Sequence, residues 1–251
     1  MQENTIVVGD CLDVMATLPD KVFDMVLCDL PYQITARNEW DVIIPFEPLW
    51  EHYKRLIKGN GAICLTATEP FSSMLVMSNL AMFRYDLIWE KTQSTGFLNA
   101  NRMPLRNHEQ ILIFYKALPT YNPQKTEGEP YSRPQTDVGT NYNETAIKQY
   151  VTVNTTGERY PVSVLRIKKD GGERVHPTQK PVALFEYLIR TYTNEGDLVL
   201  DNCIGSGTTA IAADRLGRRF YGCDISAEYV DLALKRLERD RLERSQLEME
   251  L

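Results

Sequence analysis

One stretch restricts the fold more than any other. Asp197-Leu198-Val199-Leu200-Asp201 is an apolar run ending in a carboxylate, and Asn202-Cys203-Ile204-Gly205-Ser206-Gly207-Thr208-Thr209 follows it. A helical pattern then runs from Ala210 to Leu216, and Arg219-Phe220-Tyr221-Gly222-Cys223-Asp224 is a short second strand that again ends in an acid. Strand, glycine turn, helix and strand in that order predict a parallel crossover unit. Glycines at a strand-to-helix turn let a ligand approach the backbone closely. An acid at the end of the second strand typically binds ribose hydroxyls in nucleoside-binding sheets.

A second stretch, far upstream, ends in the same way. Val26-Leu27-Cys28-Asp29-Leu30-Pro31-Tyr32 is an apolar run that stops at a carboxylate, a proline and a ring. Pro31 cannot continue a ladder and pushes Leu30 away from helical backbone. The Asp29 carboxylate, the Leu30 carbonyl and the Tyr32 ring therefore form a platform for a planar group carrying N–H donors. An exocyclic amine on a nucleobase fits; an ordinary strand end with a turn is the alternative.

Around these anchors the patterns alternate. Strands are predicted at 5–11, 22–28, 61–66, 83–89 and 110–115, with the last two as an antiparallel edge pair. Helices are predicted at 12–18, 45–57, 71–82, 181–192 and from Ser226 on. Strands separated by helices imply an α/β protein with a mainly parallel sheet and helices on both faces.

The two anchors together resemble an amino-group DNA methyltransferase that uses S-adenosylmethionine. Asp29-Leu30-Pro31-Tyr32 resembles that family's catalytic Asp-Pro-Pro-Tyr, and the stretch from Asp201 to Thr209 resembles its cofactor loop. His176-Pro177-Thr178-Gln179-Lys180-Pro181 is similar to the segment preceding that loop. The catalytic motif precedes the cofactor motif, as in the permuted beta group, and the likeness covers roughly residues 4–115 and 174–236. Two departures stand out. Leu30 replaces the first proline but keeps a carbonyl, and Asn202 and Cys203 replace the usual Pro-Phe.

The resemblance implies a Rossmann-like class I methyltransferase fold with a mostly parallel seven-stranded sheet and an antiparallel edge. It implies cofactor contacts at Asp10, Cys11, Phe71, Thr178, Lys180, Asp201, Cys203, Gly205, Ser206, Gly207, Thr208, Asp224 and Ile225. Among these, Asp10 would hold the cofactor's adenine amine and Lys180 the methionine carboxylate. For some of them a structural role competes: helix capping for Asp10, core packing for Phe71, a solvated surface for Lys180. No metal is expected, because a sulfonium carries its own activation.

Composition is ordinary for one catalytic domain, with 43% hydrophobic and 25% charged residues in 251. No apolar run reaches membrane-spanning length and the N-terminus does not read as a signal peptide. The five cysteines form no C-x-x-C pair and read as reduced thiols, which suits the cytoplasm. The net charge of −6 argues against a polyanionic partner until its distribution is considered. From Arg84 to Lys180 there are 14 Lys and Arg against 10 Asp and Glu, a balance of +4, so the remainder carries −10. The middle third is thus the expected DNA face.

Within it, Lys91, Arg102 and Arg106 are candidate phosphate contacts, and Trp40, on a polar loop over the site, is a candidate base contact or packing anchor. Residues 116–174 hold Tyr121, Tyr131, Tyr142, Tyr150 and Tyr160 among Arg, Asn and Gln, and read as a target-recognition insertion; a surface insertion without that role is the alternative. Residues 240–251 form a charged C-terminal extension. Double-stranded DNA is the expected partner, with a homodimer and a cognate restriction endonuclease as further possibilities from the resemblance.

The expected reaction is methyl transfer from S-adenosylmethionine to the N6 amine of a flipped adenine in a specific DNA site. Cytosine N4 uses the same platform and stays open, although an acid at the first motif position favours adenine. RNA or a protein amide is a second alternative. A nicotinamide-binding oxidoreductase would use the glycine turn but leaves the Asp29 and Lys180 motifs without a role.

Overall fold

The structure, a computed structural model, describes residues 1–33, 42–137, 148–168 and 179–249. Thr178 and Trp40 fall outside these residues. The chain divides into two compact units, one of Met1–Asn122 with Ser163–Leu251 and one of Pro123–Val162.

In the first unit the elements run β1 (Thr5–Val8), α1 (Cys11–Thr17), β2 (Phe23–Asp29), α2 (Phe46–Leu56), β3 (Ile57–Ala67), α3 (Phe71–Ser78), β4 (Phe83–Thr95) and β5 (Arg106–Phe114). After the second unit, which holds β6 (Tyr131–Asp137) and β7 (Lys148–Asn154), come β8 (Val164–Leu165), α4 (Val182–Tyr192), β9 (Leu198–Asp201), α5 (Thr208–Arg215), β10 (Arg219–Asp224) and α6 (Ala227–Met249).

The first unit is built on one sheet of order β1-β10-β9-β2-β3-β5-β4-β8. It has eight strands where seven were expected. The addition is β8, two residues that pair in parallel with β4 at Ile88 and Trp89. Only β5 runs against its neighbours, lying antiparallel between β3 and β4. The halves of the chain meet where β9 pairs with β2, Met25 against Val199 and Val26 against Leu200.

The near-continuous apolar runs of the central strands are explained by burial on both faces. Met25 and Leu27 point to the side covered by α4, α5 and α6, where they join Leu188, Ala212 and Ala233. Val26 and Cys28 point the other way, to Met15, Tyr53 and Leu75 on α1, α2 and α3. Truncating one such residue, Leu27→Ala for instance, removes about 2–5 kcal/mol. The charged C-terminal stretch continues α6 to Met249, and Arg241 and Arg244 fold back onto Asp214. No described helix is long and apolar enough to cross a membrane.

The second unit carries an antiparallel ribbon in which Tyr131 lies opposite Asn154 and Arg133 opposite Thr152. The guanidinium groups of Arg133 and Arg159 sit 5.3 and 4.8 Å from the Tyr131 ring centre. Val151 and Val153 on the second strand are exposed.

Candidate active site

Parallel strands deliver their carboxyl ends to one rim, and here that rim is acidic. β2 ends at Asp29, β9 at Asp201 and β10 at Asp224, while Asp10 follows β1. All four line a cavity of about 580 Å³. Ligands bind at this rim where the strand order reverses, and the β9–β2 junction is such a point.

The C-terminal half builds one side of the cavity. Gly205 turns at φ +49, and a Cβ there would meet nothing closer than the Cys203 oxygen at 4.0 Å. Its N–H donates to Asp224 Oδ2 at 3.0 Å, and the Ser226 N–H donates to Asp224 Oδ1 at 2.9 Å, so the acid is oriented by the turn. Cys203, Ser206, Thr208 and Ile225 also line the cavity. Asp201 is 3% exposed; it accepts from the Cys203 N–H at 3.1 Å and from the Thr209 hydroxyl. Burial pushes its carboxyl up to about 7, against the pull of those donors.

Gly207 has a different duty. Its φ is +83, and a Cβ would lie 2.8 Å from the Ala233 Cβ, so this glycine lets α5 start against α6 and does not line the cavity. Asn202, in place of the family's proline, is buried and accepts from the Tyr53 hydroxyl at 2.6 Å.

The N-terminal half supplies Asp10 and the Asp29 platform. Asp10 lines the cavity and also caps α1, its Oδ1 accepting from the Leu12 N–H at 2.8 Å, so its capping and cavity positions coincide. Cys11 is beside it on the wall. Asp29 Oδ1 accepts from the Tyr32 hydroxyl at 2.5 Å and from Thr66; Oδ2 accepts from Lys180 Nζ at 2.6 Å. Leu30 and Pro31 complete the edge.

Charge in this corner alternates. Lys180, 7% exposed, forms an ion pair with Glu109 Oε2 at 3.2 Å, and Lys91 pairs with Glu109 Oε1. Burial works to raise the Glu109 carboxyl, but the two ammonium groups outweigh it and hold it below its ordinary value. Burial likewise works to lower Lys180, and Asp29 with Glu109 outweigh it and hold the ammonium above its usual range. Burial first, and then the Asp29 charge, push the Tyr32 hydroxyl well up, so it stays a donor.

Residues 23–235 match the model of the N6/N4 methyltransferases described as DNA methylase. The chain belongs to that DNA methylase family. The methylase is 31% identical over 256 residues to the type II methyltransferase M1.MboII of Moraxella bovis, covering 93% of this chain and 96% of that one. Among solved structures, the M1.HpyAVI–SAM complex aligns with a TM-score of 0.64 at 24% identity, covering 93% of this chain and 99% of the other. The PvuII DNA methyltransferase (cytosine-N4-specific) aligns with a TM-score of 0.67 at 15% identity, covering 93% and 86%. The last two likenesses are of fold.

The structure places two of the methylase's predicted site residues differently. Phe71 does not line the cavity; it is buried at 2% and backs the Tyr32 ring, centres 5.1 Å apart. Lys91 is not on a surface loop. It sits on β4 with its side chain 9% exposed, neutralising Glu109, so it is not placed as a phosphate contact. Lys180 lines the cavity, with its ammonium paired to Asp29 and Glu109. Arg106 lines the cavity, whereas Arg102 does not and is exposed on the β4–β5 loop.

Glu109 and Thr66 were missed. Glu109 shares the alternation of Ile111 and Ile113, both core residues on one face of the sheet, so an inward-facing acid was the available signal.

Proposed function

We propose that this methylase transfers a methyl group from S-adenosylmethionine to the N6 amine of an adenine turned out of duplex DNA. The observation that carries this reading is that the Asp29–Tyr32 platform and the Gly205 turn open into one cavity. The residues present fit the methyl donor: a ribose has Asp224 in reach of the turn, an adenine amine has Asp10, and the backbone at Gly205 leaves room for close approach. Cys11, Cys203, Ser206 and Ile225 would form the walls around it, and Asp201 and Thr208 its base. When bound, S-adenosylmethionine supplies a methyl group already activated on sulfur.

The chain's own residues then have to make a poor nucleophile better. An aromatic amine delocalises its lone pair into the ring. A carboxylate offers about four acceptor positions, and Asp29 uses three of them on Tyr32, Thr66 and Lys180. One remains for an amine N–H. The Leu30 carbonyl, just beyond the end of β2, takes the second N–H. Both contacts pull the nitrogen toward tetrahedral geometry and aim its lone pair at the methyl. Asp29 also stabilises the positive charge that develops on nitrogen, the electrostatic term that usually dominates, and the proton that nitrogen must then lose leaves along its Asp29 contact to water. Tyr32 offers a ring against the base, seated on Phe71.

An acid at the first motif position favours adenine; the fold is shared with a cytosine-N4-specific enzyme. We also assign target recognition to residues 116–174, within which the two-stranded ribbon of Pro123–Val162 carries Tyr131 and Arg133 on one face, and a ribbon of that kind fits a major groove. A homodimer and a partner endonuclease belong to the same reading, and light scattering tests the first.

Direct modified-base sequencing of DNA from cells expressing the chain should show N6-methyladenine at one short motif. N4-methylcytosine there would overturn the adenine assignment alone. Asp29→Ala and the size-matched Asp29→Asn should each remove the mark while S-adenosylhomocysteine affinity, read by fluorescence quenching, stays within about threefold. Turnover retained in both variants would take Asp29 out of the reaction.

A further inference from the structure

The loop between β4 and β5 is rooted on the rim of the cavity. Thr95 and Arg106 both line it, pair with each other across the ladder, and are joined by a hydrogen bond of 3.3 Å from the Thr95 hydroxyl to the Arg106 carbonyl. Between them the chain turns at Gly96, φ +90, into a 3-10 turn over Phe97–Asn99. The loop holds itself in shape: the N–H groups of Asn99, Ala100 and Arg102 donate to Gly96, Phe97 and Asn99 at 2.9, 3.0 and 2.8 Å.

This shaped loop presents its apolar side chains to solvent. Leu98 is 98% exposed and Phe97 80%, with Met103 at 52%. Clustered exposed apolar residues mark interaction surfaces. Arg102 and Arg106 are exposed beside them, and no acid occurs from Gly96 to Asn107. The complementary partner is anionic outside and apolar within. A duplex with one base removed from its stack has that character, since phosphates line its edge and the gap is about one base thickness, 3.4 Å. The loop stands at the mouth of the cavity that the base must enter, which favours DNA over a lipid surface or a second copy of the chain.

We infer that Phe97 and Leu98 are a wedge that enters the stack as the target base leaves it, with Arg102 and Arg106 on the flanking phosphates. Minor-groove architectural proteins insert apolar side chains between base steps in the same way. The inference rests on the reading that the target base is flipped, and adds which residues hold it out.

The test compares the full chain with a Phe97→Ala/Leu98→Ala variant on duplexes containing the motif that the wild type marks. One duplex is intact, one carries 2-aminopurine at the target, and one has an abasic site opposite the target. Both residues are exposed, so the melting temperature should not change. On the intact duplex kcat/KM should fall by about 10- to 100-fold. The rise in 2-aminopurine fluorescence on binding should shrink. On the abasic-opposed duplex, where leaving the stack is easier, the variant should come within about threefold of wild type. An undiminished rate on intact DNA, or equal loss on both duplexes, overturns the wedge. A variant whose only change is in oligomeric mass, or in retention on anionic vesicles, assigns the surface to another occupant and also overturns it. Wild type that marks DNA without raising 2-aminopurine fluorescence removes the flipped-base reading instead, and the wedge with it.

Discussion

At the scale of residues, the molecule concentrates charge where its chemistry is proposed. Lys91, Glu109, Lys180 and Asp29 form an alternating row, and each member is less than a third exposed. Removing one member of such a row leaves its neighbour's charge buried and unpaired, which is strongly destabilising. Glu109→Gln and Lys91→Met should therefore each lower stability, and the double variant should lose less than the sum, with a coupling of about 1–3 kcal/mol in a denaturant double-mutant cycle. Strict additivity would mean that the pair is not coupled. Asp201 makes a different prediction. Its carboxyl is raised to about 7 in the fold, from an ordinary value near 3.8, so the folded chain holds a proton that the unfolded chain has released between those limits. Its contribution is complete below pH about 4 and is lost as pH rises through about 7, by up to about 1.4 kcal/mol per pH unit. Asp201→Asn should flatten that part of the stability–pH curve; an unchanged slope would show that Asp201 titrates normally. The sequence displayed Asp29 and Lys180 through their motifs but not the row, because Lys180 meets Asp29 across 151 positions of chain.

At the scale of elements, the strand-and-helix order was legible and the ends were not, for a physical reason. Hydrophobic pattern placed the edge strands at 83–89 and 110–115, yet β4 continues to Thr95 and β5 begins at Arg106. Those extra positions carry Lys91 and Glu109, charged residues that face the cavity. A pattern that looks for apolar residues sees an end where the strand only leaves the core. The two glycines of the turn were likewise indistinguishable in the sequence. Gly207→Ala forces a side chain into Ala233 at positive φ and should destabilise the fold by about 2–4 kcal/mol. Gly205→Ala has only the backbone strain, about 1–2 kcal/mol, but puts a methyl group at the ligand side. Melting temperature should therefore fall more for Gly207→Ala, and S-adenosylhomocysteine affinity more for Gly205→Ala. The reverse order would mean that the turn is used the other way round.

At the scale of the whole molecule, the cavity and the ribbon belong to different units. The residues that line the cavity all come from the unit of Met1–Asn122 and Ser163–Leu251. Both ends of the intervening segment are tied to that unit: the Asn122 N–H donates to the Thr191 carbonyl at 2.7 Å, and the Ser163 carbonyl accepts from the Ile88 N–H at 2.8 Å. Replacing residues 123–162 by a short flexible linker should thus leave the anchors, both core layers and the cavity in place. The expected variant melts cooperatively and keeps S-adenosylhomocysteine affinity within about threefold. If 116–174 selects the target, its preference for the marked motif over unrelated duplex should drop by about 100-fold or more, since base-edge contacts carry sequence information and phosphate contacts do not. Competition binding with the wild type's motif and a scrambled duplex measures this directly. A truncated chain that still discriminates as the full one does would move recognition onto the first unit, where the loop bearing Phe97, Arg102 and Arg106 is then the surface that has to supply it.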